Sequence, residues 1–275
     1  MILSRVSGAA MAKSGMPAAF TTHFHRPDAT LPVCIRRSGG IDFTMMRSSP
    51  EHTTYRNAAL LLLVLLSIVF WDSVFIAPVK LFVVLLHEAA HALAAILTGG
   101  SVERIEIDSR IGGLAVTRGG WHWLVVSSGY VGSMLFGSLI LLASVRGRGT
   151  RVLAAALGIA VLLVTLLFVR NVFGLVFGVL FGAALLAAAR YFSEFWLPLA
   201  VQYLGTVSCL YALIDVQEDL ITLEHRLTDA SIMASATGIP AIVWGVLWSV
   251  MSLLVLLFTL RLIWKRRPKQ DTLIP

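Results

Sequence analysis

Charge is scarce in this sequence. Lys, Arg, Asp and Glu make up 13% of its 275 residues, where a water-soluble globule carries about a quarter. That shortage excludes an ordinary soluble enzyme. Cysteine is nearly absent, with only Cys34 and Cys209, so a disulfide scaffold is excluded as well. A disordered chain is excluded by abundance, because apolar residues reach 57%. The formal net charge of +7 is not a sign of nucleic-acid binding, since no basic module with interleaved aromatics is present. Basic flanks facing anionic lipid account for it. What remains is a polytopic membrane protein whose first partner is the lipid bilayer.

Seven apolar stretches are long enough, or nearly so, to cross about 30 Å of hydrocarbon as helices. They cover 57–72, 75–97, 121–144, 151–169, 171–189, 194–215 and 236–262. The first is short and fits a partial insertion. Arg170-Asn171 divides what would otherwise be one overlong stretch, which predicts a tight helical hairpin. The expected fold is an all-α polytopic membrane protein of six or seven transmembrane helices, with one short β-hairpin. Three regions follow: a disordered basic segment over 1–56, a transmembrane domain over 57–264, and a basic tail over 265–275. The first of these holds Pro17, Pro27, Pro32 and Pro50 and has no apolar run. No secretory signal is expected, because the h-region is missing. Met45 and Met46 offer alternative starts.

Basic residues gather before residue 57, at Arg146, Arg148 and Arg151, and at Arg261, Lys265, Arg266, Arg267 and Lys269. The 216–230 loop is acidic, with Glu218, Asp219, Glu224 and Asp229 against Arg226. The positive-inside rule asks all three basic regions to share the cytoplasmic face. Seven complete spans would separate the two termini; an incomplete first span would not. Under either count, the loops beginning near 98, 170 and 216 share one face.

The stretch Leu85-Leu86-His87-Glu88-Ala89-Ala90-His91-Ala92-Leu93 carries H-E-x-x-H inside an apolar helix. Residues i and i+4 stand on one helical face about 6 Å apart along the axis, so His87 and His91 can share one Zn²⁺. Glu88, next to them, is placed to take a proton from a metal-bound water, whose pKa zinc lowers to about 7 for attack on a peptide carbonyl. A chance match, or a polar cluster that merely joins helices, is the competing reading. Against it stands the cost of three ionisable groups in an apolar span, several kcal/mol unless they are paired or line a wet cavity. Zinc needs a third protein ligand from the same face. Asp215, at the end of an apolar run, comes first; Asp229, in Thr228-Asp229-Ala230, follows, with an acid placed by the helix dipole as its alternative. Asp219 and Glu218 read as loop charges, and His122 and His225 as interfacial histidines.

These residues resemble the site-2 protease family of intramembrane zinc metalloproteases, in its compact bacterial branch. The likeness runs over about 75–250. It comprises His87-Glu88-Ala-Ala-His91, Thr98-Gly99-Gly100, Ser128-Gly129-Tyr130-Val131-Gly132, Asp215, Thr228-Asp229-Ala230 and Ala236-Thr237-Gly238-Ile239-Pro240. The resemblance implies cleavage of membrane-embedded helices, with two His and one Asp on zinc and a Glu as base. Those roles fall on His87, His91, Glu88, and Asp215 or Asp229. The family's third-ligand Asp is followed by Gly, whereas here Val216 and Ala230 follow. The likeness places zinc near the cytoplasmic face, against the acidic 216–230 loop.

Around the motif, Val102–Asp108 alternates with period two, and Leu114–Arg118 follows Gly112-Gly113. This predicts a surface hairpin, either a plain connector or an edge strand that pairs with an unwound substrate. Gly129, Ser133 and Gly137 give one helix a face of small residues for close packing. Asn171 reads as a hairpin cap, or else as an oxyanion donor. Pro240 predicts a kink in the last span. Lys80 and Asp72 read as interfacial charges, and Cys209 as a buried small residue. The function expected is hydrolysis of membrane-embedded peptide substrates by a zinc endopeptidase in a multi-pass bacterial cell-membrane protein. It would serve regulated proteolysis of an anchored signalling protein or clearance of signal-peptide remnants. The alternative is a non-proteolytic membrane protein that binds metal for structure or transport, although that class distributes polar residues over several spans.

Overall fold

The computed structural model describes residues 50–145, 149–221 and 228–265, apart from the side chains of 50–53 and 218–221. Of the segment expected to be disordered over 1–56, residues 1–49 lie outside the described residues, whereas 50–56 are helical. The tail from Arg266, and Cys34, Arg146, Arg148, Glu224, His225 and Arg226 also lie outside the described residues, as do the side chains of Glu218 and Asp219.

Among the described residues the chain forms α1 (Pro50–Val69), α2 (Ala77–Leu97), β1 (Ser101–Asp108), β2 (Gly112–Arg118), α3 (His122–Ser144), α4 (Thr150–Phe168), α5 (Val172–Tyr191), α6 (Trp196–Ile221), α7 (Asp229–Thr237) and α8 (Ala241–Lys265). Six helices, namely α2 to α6 and α8, are long and apolar enough to cross a membrane. The apolar run of α1, Thr54–Val69, is shorter. The expected six or seven spans therefore become six. An even number returns the chain to its starting face. The start of α2, the end of α3 and the end of α8 then share one side. The hairpin, the α4–α5 turn and the end of α6 share the other.

Local chemistry sets the helix ends. Pro78 lies in the first turn of α2, where no amide donor is needed. At the other end Thr98 Oγ1 donates to the Ala94 carbonyl at 2.7 Å, and Gly99 takes φ 83, the left-handed exit that lacks a Cβ penalty. Two expected boundaries move. α6 does not stop at Asp215 but runs on to Ile221, because residues 216–221 contain no Gly or Pro to end it. The expected span 236–262 is two helices rather than one kinked at Pro240. α7 closes on Gly238 at φ 75, and α8 begins directly after Pro240. A proline that can neither donate nor tolerate a preceding helical residue starts a new helix more readily than it bends an old one.

The hairpin forms as expected, with β1 and β2 antiparallel from Ser101↔Arg118 to Asp108↔Gly112. Its alternation buries Ile105 and Ile107 against Phe82 of α2 and Val169. The outer edge of β1 is closed by the α4–α5 turn. Arg170 N–H donates to the Ile105 carbonyl at 3.0 Å. The Asn171 carboxamide takes both backbone groups of Ile107, its Nδ2 donating at 2.7 Å and its Oδ1 accepting at 3.0 Å. Asn171 stands at the N-cap position of α5, as expected of a hairpin cap, but without a side-chain cap bond; its amide is spent on β1 rather than offered to an oxyanion. Because Ile105 and Ile107 point their backbone groups away from β2, their partners Ala115 and Gly113 point away from β1. Among the described residues no strand pairs with the outer edge of β2, where the Ala115 backbone meets Glu88.

Helix α3 lies between α2 and α6. It approaches α2 at Gly132, where a Cβ would stand 2.5 Å from that of Ala90, and α6 at Gly137, where a Cβ would stand 2.8 Å from Ser208 Cβ. Cys209 is buried, as expected. Lys80 is also buried, unlike an interfacial charge. Its Nζ lies 4.7 Å over the Trp71 ring and 3.6 Å from Asp72, which is exposed.

Candidate metal centre

One helical turn of α2 carries His87, Glu88 and His91. Their i, i+4 spacing brings the imidazoles side by side, with ring centroids 4.8 Å apart. The chain supplies a carboxylate to them from far along its length. Asp229 is the first residue of α7. Thr228 caps that helix, accepting the Ser231 N–H at 3.2 Å, while the Ser231 hydroxyl accepts the Thr228 N–H at 2.9 Å. This capping box holds the first turn rigid. Asp229 Oδ2 lies 3.2 Å from His87 Nε2 and 3.1 Å from His91 Nε2. Asp215, on α6, meets the opposite side of the first ring, 3.8 Å from His87 Nδ1. Of the two acids weighed from the sequence, Asp229 faces the pair of Nε2 atoms and Asp215 does not. His122 is exposed at the start of α3 and does not join the cluster of potential metal ligands, which comprises His87, His91 and Asp229.

The surroundings hold these groups in place. His91 Nδ1 lies 2.7 Å from the Val125 carbonyl of α3. Tyr130 sets its ring edge-on to His87, with centroids 4.9 Å apart, and is backed by Trp248 at 5.2 Å. Burial alone would raise the Asp229 carboxyl. The charge of His91, with hydrogen bonds from both rings, outweighs it and holds Asp229 below the ordinary carboxylate range. Glu88 is buried on the hairpin side of α2. The Ala115 backbone of β2 hydrogen-bonds its carboxylate. Gly113 leaves the space that Glu88 occupies, since a Cβ there would overlap Glu88 and stand 2.8 Å from Val84 Cγ1.

The donor set suits a divalent ion. The three ligand atoms lie within 4.8 Å of one another, and ligands about 2.0–2.2 Å from a tetrahedral zinc stand about 3.3 Å apart. Two imidazoles and one carboxylate match zinc in softness. A Cβ on Gly129 would overlap the Nε2 atoms of both histidines, so glycine is what lets the two rings sit against α3. The sequence suggested only packing for Gly129, and it contained no signal for the Val125 carbonyl. In the sequence Asp229 reads, in its alternative to a ligand, as a helix N-terminal acid; the structure adds the capping box of Thr228 and Ser231 that fixes it in the first turn of α7.

No curated protein and no solved structure matches the chain. A family model described as Peptidase M50B-like matches residues 60–259, which take in the whole cluster and most of the sequence. The chain belongs to the Peptidase M50B-like family, a site-2 protease family.

Proposed function

We propose that the protein is an intramembrane zinc metalloendopeptidase in which His87, His91 and Asp229 hold the metal and Glu88 is the general base. The observation that carries this reading is the convergence of three donor atoms to within 4.8 Å of one another, beside a buried carboxylate that is not one of them. Bound zinc would supply a water of lowered pKa and polarise the substrate carbonyl. Glu88 takes a proton of the attacking water and returns it to the amide nitrogen as the peptide bond breaks; the water's second proton passes from the new carboxylic acid to the amine, leaving a carboxylate and an ammonium. The Ala115 hydrogen bond and the walls at Gly113 and Val84 keep that carboxylate from swinging away.

A substrate helix hides its peptide bonds in its own hydrogen bonds, so it must be extended before attack. The outer edge of β2 supports this step, because an unwound segment can pair with it next to Glu88. The test uses purified protein and a single-span peptide substrate. Glu88→Gln is expected to keep its zinc and lose cleavage by about 10²- to 10⁴-fold. A Glu88→Gln protein that cleaves like wild type ends the proposal in favour of non-proteolytic metal binding.

A further inference from the structure

A ligating imidazole has two nitrogens, and the one that does not face the metal needs an acceptor. That acceptor fixes the tautomer, stops the ring from turning and raises the basicity of the ligating nitrogen. Both histidines direct Nε2 at Asp229 Oδ2, so both have Nδ1 left to satisfy. His91 meets the need within α3, where the Val125 carbonyl sits 2.7 Å from Nδ1. That acceptor is backbone, held in the helix and also bonded by Ser128 Oγ at 2.6 Å. Behind His87 the structure places a side chain instead: Asp215 Oδ2, 3.8 Å from Nδ1.

Asp215 is well anchored for such a task. It lies within α6, not at its end, between the buried residues Tyr211, Ala212 and Val216. Val216 packs in one cluster with Tyr130, the residue that meets the His87 ring edge-on. At 3.8 Å the two groups stand at ion-pair distance, with the carboxylate facing Nδ1.

We infer that Asp215 is a positioning residue for His87. Its carboxylate accepts a hydrogen bond from Nδ1–H and holds Nε2 toward Asp229, as the Val125 carbonyl does for His91. This rests on the proposal that His87, His91 and Asp229 bind zinc. It separates the two acids by role: Asp229 contacts the metal, and Asp215 acts through a ring.

The experiment measures zinc in the full chain purified in detergent, by elemental analysis for stoichiometry and by competition with a chromophoric chelator for affinity. Wild type, Asp215→Asn, Asp215→Glu and Asp229→Asn are compared. Asp215→Asn is expected to saturate at the wild-type stoichiometry with about 10- to 100-fold weaker affinity. Asp215→Glu is expected to recover most of that loss, because a longer carboxylate still reaches Nδ1. Asp229→Asn is expected to fall short of wild-type stoichiometry. Wild-type affinity in Asp215→Asn overturns the inference. So does a loss of stoichiometry equal to that of Asp229→Asn, which would make Asp215 a ligand. A lower melting temperature of the zinc-free Asp215→Asn protein, without rescue of affinity by Asp215→Glu, also overturns it, because the residue is then only structural. A wild-type chain that binds no zinc refutes the metal reading itself, which the variants alone do not.

Discussion

Gly129→Ala probes the centre by crowding its two rings. The added methyl would overlap the Nε2 atoms of His87 and His91, so either the rings turn aside or α3 withdraws from α2. Overpacking of a tight contact costs about 1–3 kcal/mol. If that cost falls on the metal-loaded state, zinc affinity drops about 5- to 140-fold, at about 1.4 kcal/mol per factor of ten. Gly132→Ala supplies the comparison. It overpacks the same α2–α3 contact less than one turn further along, against Ala90 Cβ at 2.5 Å, and the imidazoles are not among its neighbours. Chelator competition on both variants, with thermal melts of the zinc-free proteins, separates the effects. Gly132→Ala should melt lower and bind zinc as wild type does; Gly129→Ala should bind weakly. Wild-type affinity in Gly129→Ala would show that the two Nε2 atoms do not hold the ion.

Other perturbations test the elements around the centre. Asn171→Ala strips both backbone partners from buried Ile107, at about 1–3 kcal/mol for each unsatisfied group; amide exchange at Ile107 should quicken, and unchanged exchange would deny the clamp. Gly113→Ala pushes a methyl into Glu88. Displacing a reacting group by about 1 Å costs up to about 100-fold in rate, so cleavage should fall while zinc content stays at the wild-type level, and a matching loss of zinc would contradict the separation of base from ligands. Chelation should lower the melting temperature of wild type, because free zinc at about 100 times its dissociation constant stabilises by about 2.7 kcal/mol. His87→Ala should melt at the same temperature with and without chelator.

Much of this was legible because it is local. Scarce charge and long apolar runs require a bilayer, and within a bilayer a helix is the structure that satisfies its own backbone. An i, i+4 pair shares a face wherever the helix lies, so the nearness of His87 and His91 follows from spacing alone. Period-two alternation beside Gly112-Gly113 marked the hairpin, although those glycines pair within β2 and residues 109–111 make the turn. The break at Gly238-Ile239-Pro240 was read as a kink, since hydropathy continues through it and hides the end of one helix and the start of the next.

The sequence by itself determined the membrane class, the helical pair of histidines with their neighbouring Glu88, and the two acids from which a partner could come. The tertiary structure alone decided which acid faces which nitrogen, that the α4–α5 turn covers the outer edge of β1, and that the two rings pack against Gly129. Those outcomes depend on how α3, α6 and α7 pack on α2. Packing joins residues far apart in the chain by the shapes of their contacting surfaces, and no spacing along a single segment encodes it.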